Sequence, residues 1–598
     1  MALVTAKEIA KALNLHQLGF LGQGVAWLIF RLLGFKKLNN IYKKNQKKTG
    51  IHFLKDVLKD CNIQFTIPEQ ELKRIPKKGA FIIISNHPLG GVDGLLLLKL
   101  ALQQRADFKI IANFLLLKIA PLKNYIFPVN PFETRKNIIS SVTGIKNALL
   151  HLKEGKPLGV FPAGEVSTIQ KEKLVLDKPW DEGALRFIKK AKVPVIPIYF
   201  HTKNSTLFYV LSKISGTLRT AKLPSELKSN VPKLVKIRIG KPITVADQNE
   251  CTDTTSFGCF LRKKTYLLAN PFLKKQKLIP IPKISNTIKK TTEITRQKEI
   301  TLLLQEITSL REAKKQLFTS KNYEVYFAAA KEIPTLLHEI GRLREITFRT
   351  IGEGTNAATD LDKYDNYYHH LFLWDHTKNL VVGAYRIGLG KEIFKKYGSN
   401  GFYIQTLFTI DAALNTMMQS SIEMGRAFVI QEYQKKPMPL FLLWKGIVHL
   451  TLRFSEYEYL IGSVSISNTF SDFTKSLMIE FMRSHYYDSY LAQYIRPKKA
   501  YKVKLKDVDK DFVFDISNGN LQKFDKIIDE IEPGTLRIPV LLKKYIKQNA
   551  RLLGFNIDPK FNNALDALMY INIRDIPEST VKPVIEEFQK TLKIKKET

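Results

Sequence analysis

The chain has 598 residues, 44% apolar and 25% charged, which excludes a disordered protein and is too long for one ordinary core. That length suits three or four average domains, or two large α/β ones. It carries 94 Lys and Arg against 55 Asp and Glu, a net charge of +39, which points to a polyanionic partner: nucleic acid, anionic lipid or an acidic carrier protein. The excess is lopsided. Residues 1–300 hold 52 basic and 20 acidic side chains (+32), leaving 42 and 35 (+7) for residues 301–598. Cys61, Cys251 and Cys259 show no metal or redox spacing and suit unpaired thiols in a reducing compartment.

In chain order, residues 1–50 read as basic helices. Within them, residues 18–30 form an apolar run containing Phe20, Trp27 and Phe30. Arg31 ends it, and Lys36, Lys37, Lys43, Lys44, Lys47 and Lys48 follow. This is the pattern of an interfacial membrane helix, or of a helix packed on its own domain. No uncharged apolar run reaches the roughly 18 residues of a spanning helix. No cleavable signal pattern is expected either. Strands are expected at 80–85, 108–112, 158–161, 193–200 and 235–239, with a helix at 95–102. Pro194 and Pro197 mark 193–200 as an edge or irregular strand. Strands alternating with helices imply an α/β layer fold over residues 51–270.

Residues 271–296, rich in Lys pairs and Pro, read as an exposed linker, and a helix at 299–317 closes a connecting region of 271–320. A second mixed α/β domain is expected over 321–510. Its strands fall at 380–387, 421–430 and 459–464, and its helices at 333–348 and 439–454. Residues 511–598 read as a helical extension.

Chemistry is legible first in FIIISNHPLGGVDG, residues 81–94. A strand delivers Asn86 and His87 to its end, Gly90 and Gly91 permit close backbone approach, and Asp93 opens a helix. Neutral histidine can take a proton from a hydroxyl as a thioester is attacked, and a carboxylate on the other ring nitrogen fixes its tautomer. The block Phe161-Pro162-Ala163-Gly164-Glu165-Val166-Ser167 follows a second strand. With the Val193-Pro194-Val195-Ile196-Pro197 strand, these blocks resemble the lysophospholipid acyltransferase family over about residues 60–250. That resemblance implies His87 and Asp93 as catalytic residues, with Asn86, Gly90, Gly91, Arg135, Phe161, Pro162, Gly164 and Glu165 around the substrate.

The chain departs from the family pattern. Five residues, not four, separate His87 from Asp93, and the glycine pair is expected to absorb the extra one as a bulge. Ala163 and Val166 replace a Glu and a phosphate-holding Arg; Arg135 is the candidate stand-in for a second such Arg. An acceptor with a hydroxyl but no phosphate fits best, and the form resembles the subgroup that O-acylates N-acyl amino acids.

A second constellation spans residues 339–386. Arg342 and Arg344 lie on a helix, Glu353, Asp360, Asp362 and Asp365 follow, and Arg386 sits on the next strand. With Glu423 and Arg426, this resembles the acyl-homoserine-lactone synthase branch of the GNAT superfamily. The closer likeness is to the haemolysin-like ornithine-lipid N-acyltransferases, over about residues 320–500. It implies N-acylation of an amino acid, with Glu353 or Glu423 receiving the proton. Arg342, Arg344 and Arg426 are expected to hold the amino acid's carboxylate. On the residues alone, ion pairs between these arginines and nearby carboxylates are an equal reading. Gln431–Lys436 replaces the usual pyrophosphate loop, which favours acyl carrier protein over coenzyme A as donor.

Together the resemblances imply two α/β acyltransferase domains acting in sequence: N-acylation of an ornithine- or glycine-type amino acid with a 3-hydroxy acyl chain, then O-acylation of that hydroxyl. No bound cofactor or metal is expected. The expected partners are acyl carrier protein, an anionic membrane surface at the cytoplasmic face of the inner membrane, the amino acid and the lyso-aminolipid. A lysophospholipid or glycerol-phosphate acceptor is the alternative. A nucleic-acid-binding role is disfavoured, because no zinc-finger or RNP-like motif occurs.

Overall fold

The computed structural model describes residues 3–12, 15–32, 34–130, 141–169, 175–214, 223, 226, 233–272, 291–505, 513, 517, 519–532 and 536–597. The chain forms two compact units: Met1–Lys275 with Asp529–Thr535, and Gln276–Ile528 with Leu536–Thr598. Both are mixed α/β.

The first unit contains β1 (Ile63–Thr66), β2 (Ile82–Ser85), β3 (Lys109–Asn113), β4 (Ile126–Val129), β5 (Leu158–Val160), β6 (Thr168–Ile169), β7 (Val175–Leu176), β8 (Val195–His201) and β9 (Lys233–Ile239). Seven of them build one sheet in the order β1-β9-β8-β2-β5-β3-β4, and β6 and β7 pair apart. All sheet neighbours run parallel except β8 and β9. Central β2 is Ile-Ile-Ile-Ser with every residue buried, so it lacks alternation because both faces are covered. Ile83 joins the cluster of Leu96, Leu97 and Leu100 on one side; Ile82 and Ile84 join that of Val160 and Ile188 on the other. Each such side chain contributes about 1.5–3 kcal/mol of burial. That anchors the strand end from which the candidate base projects.

Pro197 corrects one expectation. Strand β8 is interior, between β9 and β2, and not at an edge. Irregularity is nonetheless there: the β8–β9 ladder runs only from Ile198 to His201, and the chain leaves it at Gly240, beside Pro197. The strand thus breaks its pairing where proline has no N–H to give.

Near the N-terminus lie helices Gly19–Leu32 and Phe35–Asn45. Phe20 is 90% and Trp27 52% exposed. No single helix among the described residues is long and apolar enough to cross a membrane.

The second unit contains β10 (Gln316–Ser320), β11 (Tyr323–Ala329), β12 (His369–Asp375), β13 (Leu380–Leu389), β14 (Phe408–Ile410), β15 (Ser421–Val429), β16 (Tyr459–Ile466), β17 (Ile495–Pro497), β18 (Arg551–Asp558) and β19 (Ala564–Asn572). Its main sheet runs β10-β11-β12-β13-β15-β16-β19-β18. Residues 511–598, expected to be a helical extension, also supply the two strands that complete it. Their burial has almost no alternation, so they carry no period-two signal.

One feature of this sheet positions a site. Among the described residues, strands β15 and β16 are its only parallel pair, and they pair from Ser421 to Glu423 against Tyr459 to Ile461. Beyond that they part, while β16 stays zipped to β19 along its length. A small open cleft lies at the split, lined by Met424, Leu460, Gly462, Ser463 and Met569 among others. A Cβ on Gly462 would collide with the carbonyl oxygen of Met424, so only glycine fits where the strands separate. Just beyond, Arg426 has a left-handed φ of 51°, and the β13–β15 register shifts. A non-glycine residue held so costs about 1–3 kcal/mol.

Candidate active sites

His87 and Asp93 converge as expected. Strand β2 ends at Ser85, and the Asn86 amide extends its pairing with β8. Asn86 Oδ1 accepts from Phe200 N at 2.8 Å and its Nδ2 donates to Phe200 O at 3.1 Å. Asn86, expected at the substrate, is therefore a strap between strands. Gly90 takes φ 78° and ψ −125°, a conformation open essentially to glycine, and caps helix Gly91–Leu102. The chain kinks at Gly90. It turns Asp93 back so that Oδ2 accepts from Leu89 N at 2.7 Å and Gly90 N at 3.0 Å. A Cβ on Gly91 would meet nothing, so the helix start is open there.

His87 Nδ1 lies 3.1 Å from the same Asp93 Oδ2, at an angle outside hydrogen-bond alignment. Catalytic pairs are often bent this way before substrate binds. Asp93 is fully buried, while 17% of the His87 side chain is exposed. A proton on Nδ1 facing Asp93 leaves the Nε2 lone pair as the base. Burial pushes the Asp93 carboxyl above the ordinary carboxylate range, against the pull of His87 and two backbone N–H groups.

The 161–167 block forms the wall beside this pair. The Phe161 ring lies 4.3 Å from the His87 ring, and Ser167 N donates to His87 O at 2.9 Å. Pro162 O accepts from Asp181 N, and Gly164, at φ 65°, closes a turn onto Phe161 O. Glu165 pairs with Lys178 at 2.6 Å. Val166, in place of the phosphate-holding arginine, is buried with Phe208 and Tyr209. Arg135 lies outside the described residues.

Asp177 is a functional residue that sequence reasoning misses. Its Oδ1 accepts from His87 N at 3.2 Å and from Ser167 Oγ at 2.5 Å, and its Oδ2 from Trp180 Nε1 at 3.2 Å. It holds the backbone of the base from 90 residues away, and no local pattern marks it.

In the second unit, three arginines and three aspartates interlock. Arg344, on helix Pro334–Thr350, bonds Asp360 Oδ2 at 2.8 Å and both oxygens of Asp365 at 3.1 and 2.9 Å. Arg386 bonds Asp362 at 2.7 Å and Asp365 at 3.2 Å, and the rings of Tyr364, Tyr368 and Tyr403 lie 4.8–5.7 Å from its guanidinium. Arg426 reaches Asp360 at 3.5 Å and Asp362 at 3.4 Å. Arg342 pairs with Glu339. Arg342 and Arg344, expected to hold a substrate carboxylate, are thus committed to internal pairs. Arg342 and Arg426 keep 15% and 11% of their side chains exposed, against 1% for Arg344 and Arg386, and Arg426 projects from the strand that parts at the split. Burial alone would raise Asp365, but Arg344 and Arg386 hold it well below the carboxylate range.

The two glutamates divide. Glu423, 2% exposed, accepts from Ile404 N at 2.9 Å, Tyr403 N at 3.1 Å and the Tyr368 hydroxyl. It pins the 403–404 backbone. Glu353 accepts from Ser465 Oγ at 2.6 Å, on the strand that borders the split. Burial pushes both carboxyls up.

Each half of the chain matches a known kind of transferase domain. A family model described as an acyltransferase matches residues 5–274, and one described as an acetyltransferase (GNAT) domain matches residues 343–444. The chain is therefore an acyltransferase with two transferase domains, an N-terminal acyltransferase domain bearing His87 and Asp93 and a C-terminal GNAT domain. Among its relatives is a glycine N(alpha)-acyltransferase of Phocaeicola vulgatus, 29% identical over 297 residues, covering 47% of this chain and 90% of that protein. Another is a lyso-glycine lipid O-acyltransferase of Bacteroides thetaiotaomicron, 24% identical over 248 residues, covering 40% of this chain and 88% of that protein. Two solved structures show slight likeness. The 1-acyl-sn-glycerophosphate acyltransferase of Thermotoga maritima is 19% identical with a TM-score of 0.23, covering 37% of this chain and 74% of that one. The acyl-homoserine-lactone synthase LasI is 13% identical with a TM-score of 0.19, covering 27% and 79%.

Proposed function

We propose that this chain makes a two-chain aminolipid in two consecutive acyl transfers. The C-terminal domain N-acylates an amino acid, glycine in our reading, with a 3-hydroxy fatty acyl group. The N-terminal domain then esterifies that 3-hydroxyl. The carrying observation is the His87–Asp93 pair, a hydroxyl-deprotonating dyad with no arginine among its described neighbours in the 161–167 block, in the same chain as a GNAT domain. Val166 where a phosphate-holding arginine is expected supports a phosphate-free acceptor. The names of the two kinds of relative support glycine over ornithine.

In the first transfer, the thioester lies in the split between β15 and β16, and Arg426, partly accessible and only loosely paired with Asp360 and Asp362, takes the amino acid's carboxylate bidentately. Because Glu423 is occupied by backbone donors and the Tyr368 hydroxyl, the proton leaves toward Glu353. In the second, His87 Nε2 takes the hydroxyl proton, that oxygen attacks the second thioester, and Asp93 stabilises the imidazolium. The donor is an acyl carrier protein thioester, supported by the basic net charge and by Gln431–Lys436 in place of a pyrophosphate loop. The apolar surface of Gly19–Leu32, followed by lysines, is the proposed contact with the anionic inner-membrane surface.

The test is expression in a host that lacks aminolipids, with labelled glycine and labelled ornithine in parallel. A phosphorus-free two-chain lipid carrying the glycine label is the expected product. No labelled phosphorus-free lipid from either amino acid, with only the phospholipid acyl pattern changed, would overturn the reading.

A further inference from the structure

Asp566, on β19, has no counterpart among the residues that the chain's motifs mark. It lies directly across from Ser465 of β16 and from Asn556 of β18, so the three share one face of the sheet. Ser465 carries Glu353 at 2.6 Å. Asp558, three percent exposed, ends β18 opposite Ala564, one turn of the same hairpin away. Three carboxylates therefore gather beside the split in the sheet. Asp566 itself is 93% buried (7% exposed), and among the described residues no donor bonds its carboxylate.

A buried carboxylate without a hydrogen-bond donor is costly. The groups acting on it are Asp558, Glu353, Arg426 and Tyr403. Only Arg426 is cationic, and it is shared with Asp360 and Asp362. Burial and the two neighbouring carboxylates push the Asp566 carboxyl far above its ordinary range. Once ionised, such a group holds a proton tightly, and it lies across from Ser465, four residues past Ile461, the last β16 residue paired with β15. Among the described residues no three acidic, His or Cys side chains are arranged to hold a metal ion. The missing donor is therefore better supplied by the substrate's ammonium.

We propose that Asp566 is the ammonium-binding group and proton acceptor of the N-acyl transfer, with Glu353 and Asp558 completing the anionic pocket; this deepens the proposed amino acid N-acylation and rests on it. The ammonium gives one proton to Asp566. The freed nitrogen lone pair forms the C–N bond to the thioester carbon, and the C–S bond breaks with its electrons on sulphur. The second nitrogen proton ends on that sulphur as a thiol. Asp566 then returns its proton to solvent, so ammonium plus thioester yields amide, thiol and one proton.

The test compares the full-length wild type with Asp566→Asn, using a 3-hydroxyacyl carrier-protein thioester with glycine or with hydroxylamine, which is already neutral at neutral pH. The expected loss with glycine is about a hundredfold or more, recovering as pH rises, while hydroxylamine acylation stays within about threefold. The thermal midpoint should stay near that of the wild type, because the amide matches the carboxyl in size. Glycine acylation within about threefold of wild type, or equal loss with both nucleophiles, overturns the proposal. If Asp566→Asn does not fold, Asp558→Asn serves: with one like charge gone, the acidic limb of the glycine rate profile should move to lower pH, and an unmoved limb contradicts the assignment. A wild type that acylates hydroxylamine but no amino acid overturns the underlying reading as well. An active wild type with an unaffected Asp566→Asn overturns only the role of Asp566.

Discussion

Ser167 and Asp177 together lock the backbone of the candidate base: the Ser167 hydroxyl donates to Asp177 Oδ1 at 2.5 Å, and Ser167 N and that same Oδ1 grip His87 O and His87 N. Neither side chain bonds the imidazole. Asp177→Asn should leave the imidazole chemically intact but poorly held. The expected loss in O-acylation is about tenfold to a hundredfold in kcat, the scale of a small misplacement. A lysolipid-supplied assay checks it, and an unchanged kcat removes the positioning role.

Asp93→Asn preserves the oxygen that faces Leu89 N, Gly90 N and His87 Nδ1 but removes the charge that stabilises the imidazolium. Stability should change little, while O-acylation falls by roughly 10³–10⁴, as when a triad's carboxylate becomes an amide. A drop under tenfold would mean that Asp93 is only a helix cap, which Asp at this position often is.

Arg344→Ala leaves Asp360 and Asp365 buried without their main cation. Breaking a buried pair on one side costs about 3–5 kcal/mol. Urea unfolding followed in the C-terminal domain should show that loss; a change below about 1 kcal/mol contradicts the network's structural role.

His370 predicts how the C-terminal domain responds to acid. Burial lowers its pKa to about 4, against the pull of Asp365. The unfolded chain has about 6.5. The folded state thus prefers the neutral ring, so its contribution is full above about pH 6.5 and is lost as pH falls to about 4. The loss is about 3 kcal/mol. His370→Gln should flatten stability between pH 7 and pH 4.5, and a slope equal to wild type would show that other groups dominate.

Much of this was legible in the sequence where chemistry and local pattern coincide. Ile82–Ser85 and Leu158–Val160 announce themselves as apolar runs, and Asn86 through Asp93 as a glycine-kinked helix start. What was hidden has a physical reason. Ile63–Thr66 is a four-residue edge strand, half exposed, and too short for a periodic signal. Ala564–Asn572 is buried on both faces and rich in Ala and Leu, so it reads as helix. Asp177 and Asp566 act across contacts 90 or more residues long, which no spacing encodes. The arginines were visible as a cluster, but only coordinates show that Arg344 is spent on aspartates while Arg426 keeps an exposed edge.

The division of labour between the domains is tested most directly by mass spectrometry of lipids from cells expressing the wild type or His87→Ala. The mutant should lose the two-chain lipid and accumulate a single-chain N-acyl amino acid with a free hydroxyl. Persistence of the two-chain lipid, or its loss with no single-chain precursor, would contradict the account.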